Sequence, residues 1–73
     1  MNKFYFTFGT SDTFPYSGGY VLVEADVISD AIEKFVKKFG YSKHGEVRCS
    51  FWYSEETFKN TCMVDDVCHE VIK

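Results

Sequence analysis

The residues of this 73-residue chain that could perform catalysis are its three cysteines and two histidines. A Cys-His nucleophile requires the two side chains to lie within hydrogen-bonding reach, with a third group that orients the histidine. Cys68 and His69 are adjacent in a predicted strand, where neighbouring side chains point to opposite faces, so they cannot form this pair. The chain also contains no Walker-type or GxGxxG glycine loop. We therefore expect no enzymatic activity.

The same residue types could bind a single zinc ion, but their spacing does not favour one. The candidate ligands are His44, Cys49, Cys62, Cys68 and His69. No two cysteines form a CxxC pair, which is the usual spacing in structural zinc sites. An odd number of cysteines is better explained by free thiols in a reducing compartment. We expect no metal and no cofactor.

Charge argues against a role in binding duplex nucleic acid. Eight basic residues face eleven acidic ones, which leaves a net charge of −3, whereas proteins that bind duplexes gain much of their affinity by neutralising phosphates. Basic residues concentrate between positions 34 and 48. The acidic residues Glu55, Glu56, Asp65 and Asp66 lie close to the carboxyl end, where they could imitate phosphates in the basic channel of a nuclease.

Aromatic residues make up 19% of the chain, and some of them are expected on the surface. Tyr5, Arg48 and Trp52 are predicted to share the outer face of a sheet, where they could stack bases of a single strand or anchor a protein partner. The protein partner is favoured, because the usual RNA-recognition signature is absent. Phe14 and Tyr16 could enter a partner's pocket, although a small domain is more apt to fold them back over its core.

The first half of the chain predicts two strands and a helix. Residues 3–8 alternate apolar and other side chains, which places Phe4, Phe6 and Phe8 on one face of a strand. Residues 20–25 predict a second strand. Apolar residues at helical spacing then predict a helix that is capped by Asp26 and ends at Gly40.

The second half predicts a strand, a short helix and a last strand. Residues 47–53 alternate, with an expected inward set of Val47, Cys49, Phe51 and Tyr53. Ser54 can cap a short helix that carries Phe58 and Cys62 on its inner face. Residues 67–72 predict the final strand. We therefore expect one α+β domain over residues 1–73, in the order β-β-α-β-α-β, with a four-stranded sheet and helices on one face.

Five segments together carry a resemblance to a known group of proteins: 3–9, 14–16, 20–26, 51–56 and 68–72. With these segments the chain resembles a family of short proteins encoded by phages and prophages of gut Firmicutes. The resemblance supplies no catalytic motif. It implies a context, because small acidic phage proteins of this kind are often inhibitors of bacterial defence, including anti-CRISPR proteins.

Residues and resemblance together predict an inhibitor of a bacterial host defence system that acts by protein–protein contact through an acidic and aromatic surface. Its expected partner is a host defence or nucleic-acid-processing protein. One alternative is a module that binds a ligand or single-stranded nucleic acid on the aromatic sheet face. Another is a homodimeric phage accessory protein. No leader and no membrane-spanning run is visible, so we expect the protein in the host cytoplasm.

Overall fold

The computed structural model describes residues 1–9, 14–61 and 65–73. The elements, in chain order, are β1 (Asn2–Thr7), β2 (Tyr20–Ala25), α1 (Ile28–Phe39), β3 (Phe51–Ser54), α2 (Glu55–Phe58) and β4 (Cys68–Ile72). The strands form one sheet in the spatial order β3-β1-β2-β4. β1 is antiparallel to β2 and β3, whereas β2 and β4 are parallel, so the sheet is mixed. The predicted α+β class and element order are confirmed.

The main core lies between α1 and one face of the sheet. Phe4, Phe6 and Phe8 alternate along the first strand and its extension, and all three are buried, as predicted. Phe35 of α1 stacks on Phe6 with ring centroids 4.6 Å apart. β2 adds small side chains to the same layer, which are Val21, Val23 and Ala25. Large rings from β1 and α1 therefore fill a core that a short chain could not otherwise build.

The ends of α1 differ in how far they follow the prediction. The N-cap is Val27, without a side-chain cap, and the N–H of Ala31 donates to the carbonyl of Val27 at 3.1 Å. The predicted cap at Asp26 is therefore wrong by one residue. At the other end Gly40 adopts φ 76° and donates its N–H to Val36, as a terminating glycine does. No helix in the described ranges is long and apolar enough to cross a membrane.

The helix α2 packs on the face of the sheet opposite α1. Tyr5 lies between Phe4 and Phe6 in β1, so its side chain points away from the α1 layer. Phe58 of α2 stacks on Tyr5, with ring centroids 4.1 Å apart and ring planes within 1°. The prediction of both helices on one face is therefore wrong. The reason is local, because α2 starts directly after β3 and its single turn folds back over the face that Tyr53 shares with Tyr5.

β3 is shorter than predicted, and its faces are exchanged. The strand begins at Phe51, while Val47 forms an isolated bridge with Tyr41. Pairing with β1 places Trp52 opposite Phe6 and Tyr53 opposite Tyr5. Trp52 therefore lies on the α1 face, and Phe51 and Tyr53 lie on the α2 face, which reverses the prediction. A strand's register decides which face each residue occupies, and here pairing with β1 sets that register.

Candidate interaction surface

Two large aromatic side chains of β3 are exposed at the edge of the sheet, Phe51 on the α2 face and Trp52 on the α1 face. Phe51 is 56% exposed and Trp52 is 36% exposed. Their rings are nearly parallel, with centroids 6.4 Å apart, and Trp52 also makes an edge contact with Phe4. β3 is an outer strand of the sheet, so no strand of the described residues pairs with its other side. Exposed aromatic side chains at a sheet edge are typical of a surface that binds another polypeptide.

A groove of about 310 Å³ borders this strand. All four residues of β3 line it, together with Thr57 of α2. Because consecutive residues of one strand line it, the groove follows the edge of the sheet rather than one of its faces. It is mostly apolar and offers room for side chains of a partner.

Carboxylates follow these aromatic residues directly. Glu55 and Glu56 form the first turn of α2, and the side chain of Ser54 accepts a hydrogen bond from the N–H of Thr57. Glu55 lies 3.8 Å from the ammonium of Lys3, and Glu56 is exposed. We call Phe51, Trp52, Glu55 and Glu56 the β3–α2 surface. It combines an apolar centre with an acidic margin.

The other two predicted acidic residues lie elsewhere. Asp65 and Asp66 are exposed, and they help to raise the pKa of Tyr20, after burial and Cys68. Burial first, and then Glu55, raises the pKa of Tyr5. Tyr20 begins β2, and Glu24, the residue that pairs with Lys3 of β1, lies near the other end of β2. The two positions are about 13 Å apart at the usual rise of a strand. The four carboxylates therefore flank the α2 face at two ends and do not form one acidic patch.

The predicted stacking platform of Tyr5, Arg48 and Trp52 is not formed. Tyr5 lies on the α2 face under Phe58, whereas Trp52 lies on the α1 face. The Nη1 of Arg48 donates to the carbonyl of Phe39 at 2.9 Å, so this side chain contacts the end of α1. A platform for bases needs its rings on one open face. This prediction is wrong because the register of β3 differs from the alternation assumed from residues 47–53.

The aromatic residues of the first loop pack against the core. The ring of Tyr16 lies 5.6 Å from that of Phe8 and stacks on His69 at 4.2 Å. His69 in turn lies 2.8 Å from the carbonyl of Gly18 through its Nε2. Phe14 also packs against the core. Both residues fold back over the core, which was the favoured interpretation from sequence, while the preceding residues 10–13 lie outside the described ranges.

The described cysteines and histidines have different surroundings. Cys49 contacts the core, as expected, and burial raises the pKa of its thiol to about 11. Cys68 is exposed, and its thiol lies 3.5 Å from the carbonyl of Glu70. Cys62 falls outside the described ranges. Among described residues no three side chains of His, Cys, Asp or Glu lie close enough to hold a metal ion.

Phe51 is the surface residue that the sequence interpretation missed. It was expected in the core, yet it is among the most exposed aromatic residues. The signal was present, because Phe51, Trp52 and Tyr53 are consecutive and a strand cannot turn three consecutive side chains to one face. No protein-family model, no curated protein and no solved structure matched this chain.

Proposed function

We propose that this protein is a binding inhibitor of an enzyme in a bacterial defence system, and that the β3–α2 surface makes the contact. The inhibitor acts by occupying part of that enzyme rather than by catalysing a reaction, and it acts in the host cytoplasm. The observation that supports binding is the exposure of Phe51 and Trp52 beside two carboxylates. Aromatic side chains of this kind contribute much of the binding energy at protein interfaces.

Charge supports a nucleic-acid-processing enzyme as the target. Such enzymes have basic channels for phosphates, and the exposed carboxylate of Glu56 complements a basic surface. The apolar groove beside β3 supplies apolar contact area, which a purely electrostatic contact lacks. The assignment to host defence comes from the resemblance to short phage proteins, and it is a separate part of the proposal.

Phage plating on bacteria that carry a nuclease-based CRISPR system tests the whole proposal. We expect expression of the wild-type protein to restore plaque formation. Phe51→Ala and Glu56→Gln should each reduce the restored plating efficiency at least tenfold. The purified wild-type protein should also co-elute with the purified nuclease of that system, and the two variants should not.

Matched controls separate the surface from a general effect on the protein. Tyr41 is 57% exposed, almost the same as Phe51, and lies outside the β3–α2 surface, so Tyr41→Ala should retain activity. Glu33→Gln removes an exposed carboxylate from α1 and should also retain activity. Equal losses in Phe51→Ala and Tyr41→Ala would contradict the proposed surface. Failure to restore plating against any of a panel of defence nucleases would contradict the proposed function itself.

A further inference from the structure

We propose that two copies of this chain pair along the outer edge of β3, in a symmetric antiparallel dimer with one continuous eight-stranded sheet. The inference does not rest on the proposed function, because it concerns the free protein without any target. The dimer covers Phe51 and Trp52 of the β3–α2 surface, so a copy must leave the dimer before it can contact a target there. Three observations support the dimer: the direction of the backbone groups of β3, the aromatic side chains on that strand and the carboxylates that follow it.

The backbone of β1 shows which groups of β3 are available. The N–H of Phe8 donates to the carbonyl of Gly19, next to β2, and the carbonyl of Thr7 accepts from the N–H of Ser50, next to β3. Hydrogen-bonding groups alternate along a strand, so the odd-numbered residues of β1 face β3. Thr7 is opposite Phe51 and Tyr5 is opposite Tyr53. The backbone groups of Phe51 and Tyr53 therefore point to β1, and the N–H and C=O of Trp52, which lies between them, point outward.

A register centred on Trp52 satisfies this edge in a symmetric pair. If a two-fold axis passes beside Trp52, the N–H of each Trp52 donates to the carbonyl of Trp52 in the other copy, and both outward groups are satisfied. A shift by one residue would oppose groups that already bond to β1.

The same register pairs aromatic side chains across the seam. On the α1 face, the indole of Trp52 lies beside that of the second copy. On the α2 face, Phe51 of each copy lies opposite Tyr53 of the other, because these residues are equally far from Trp52 on either side. Aromatic pairs across neighbouring strands stabilise a sheet. The pairing covers the most exposed apolar side chains of β3 in both copies.

Charge favours the antiparallel direction. β3 is followed by Glu55 and Glu56. Parallel pairing would bring these carboxylates of the two copies together, whereas antiparallel pairing places them at opposite ends of the seam. The second outer strand, β4, suits pairing less well, because its register with β2 shifts between Tyr20 and Val21. Such irregularities hinder edge-to-edge pairing.

Sedimentation velocity across a range of concentrations tests the dimer, with circular dichroism of the indole as a second readout. Trp52 is the sole tryptophan, so its near-ultraviolet signal reports on the seam directly. We expect a reversible dimer whose formation changes the Trp52 signal with the same concentration dependence. Trp52→Lys should raise the dissociation constant at least tenfold, since a lysine on an edge strand opposes pairing.

The control is the same change on the other outer strand. Val71 is 46% exposed on β4, and Val71→Lys should leave the dissociation constant within twofold of the wild type. Far-ultraviolet spectra establish that each variant is folded. If Trp52→Lys does not fold, Phe51→Lys takes its place, because Phe51 is more exposed, whereas Trp52 makes an edge contact with Phe4 of the core.

Three results would overturn the proposal. The first is a wild-type protein that stays monomeric up to its limit of solubility. The second is a dimer that Val71→Lys disrupts and the β3 variant does not, which would place the interface at β4. The third is a dimer whose formation leaves the Trp52 signal unchanged, which would place the seam away from β3.

Discussion

Position 19 illustrates how closely the first loop approaches β4. Gly19 has φ +70°, and a Cβ atom there would lie 2.6 Å from the carbonyl oxygen of Val67 and 2.5 Å from Nε2 of His69. The following residue, Tyr20, donates its N–H to the same Val67 carbonyl at 2.8 Å. A side chain at position 19 would therefore force apart the segments that position β4. Gly18 has the same φ, but no atom of the described residues, apart from Gly18 and its chain neighbours, would lie within 4 Å of a Cβ there.

We expect Gly19→Ala to lower the free energy of unfolding by about 3 kcal/mol, because strain and steric overlap add. Gly18→Ala should lower it by only about 1 kcal/mol, since the alanine would have the strain of the left-handed backbone conformation but no steric overlap. Urea denaturation followed by circular dichroism measures both. Equal losses in the two variants would show that the approach to Val67 is not a constraint.

Thiol reactivity provides a second test at the level of single residues. Burial raises the pKa of Cys49 to about 11. At pH 8 only about one such thiol in a thousand is then ionised, and the thiolate is the reactive form. We expect iodoacetamide at pH 8 to modify the exposed Cys68 first and Cys49 only after unfolding in urea. Peptide mass spectrometry measures this order, and comparable native-state rates at the two sites would contradict the burial of Cys49.

Among the elements, α2 depends most on the rest of the fold. It has four residues, and a single helical turn is not stable alone, because the conformational entropy lost in forming the first turn exceeds the free energy that its hydrogen bond contributes. Ser54 and Phe58 both help to hold it in place. Ser54 caps its first turn, as predicted from the sequence, and Phe58 is 2% exposed beneath Tyr5, Tyr20 and Tyr53.

Truncation of these two side chains should separate their contributions. We expect Phe58→Ala to lower the free energy of unfolding by about 3 to 4 kcal/mol, because it leaves a cavity between stacked rings. Ser54→Ala should lower it by about 1 kcal/mol through loss of the cap. Lys59→Ala, at an exposed position next to Phe58, is the control and should change little. A small effect of Phe58→Ala would contradict its role as the anchor of α2.

At the level of the whole molecule, the sheet buries ionisable groups on both of its sides. Burial raises the pKa of Tyr5 and Tyr20 above their ordinary value of 10.0, and it raises that of Cys49 from 9.0 to about 11. In each case the folded protein holds a proton that the unfolded chain releases at a lower pH. The contribution of each group to the free energy of unfolding is therefore complete below pH 9. It is lost as the pH rises above the pKa that the group has in the unfolded chain.

We expect the urea midpoint to fall between pH 9 and pH 11, and these three groups to contribute nothing to its change between pH 7 and pH 8. A variant that combines Cys49→Ala with Tyr20→Phe should show a shallower decline over the same range. Urea titrations at each pH measure both proteins. Parallel declines would contradict the assignment of the alkaline transition to Cys49 and Tyr20.

The sequence by itself determined the α+β class, the element order, the phenylalanines of β1 and the bounds of α1 to within one residue. These features follow from local periodicity, which each segment carries whether or not its neighbours are known. Gly40 and Ser54 were equally predictable, because a helix end needs a particular backbone conformation or side-chain acceptor at that position.

Only the tertiary structure decided the faces of β3, the side on which α2 packs and the dispersal of Tyr5, Arg48 and Trp52. Three consecutive aromatic residues satisfy either register of a strand equally well, so pairing with β1 selects one of them. That selection exposes Phe51 and turns the backbone of Trp52 outward. The candidate surface is therefore a consequence of strand pairing between residues more than forty positions apart, which no local pattern encodes.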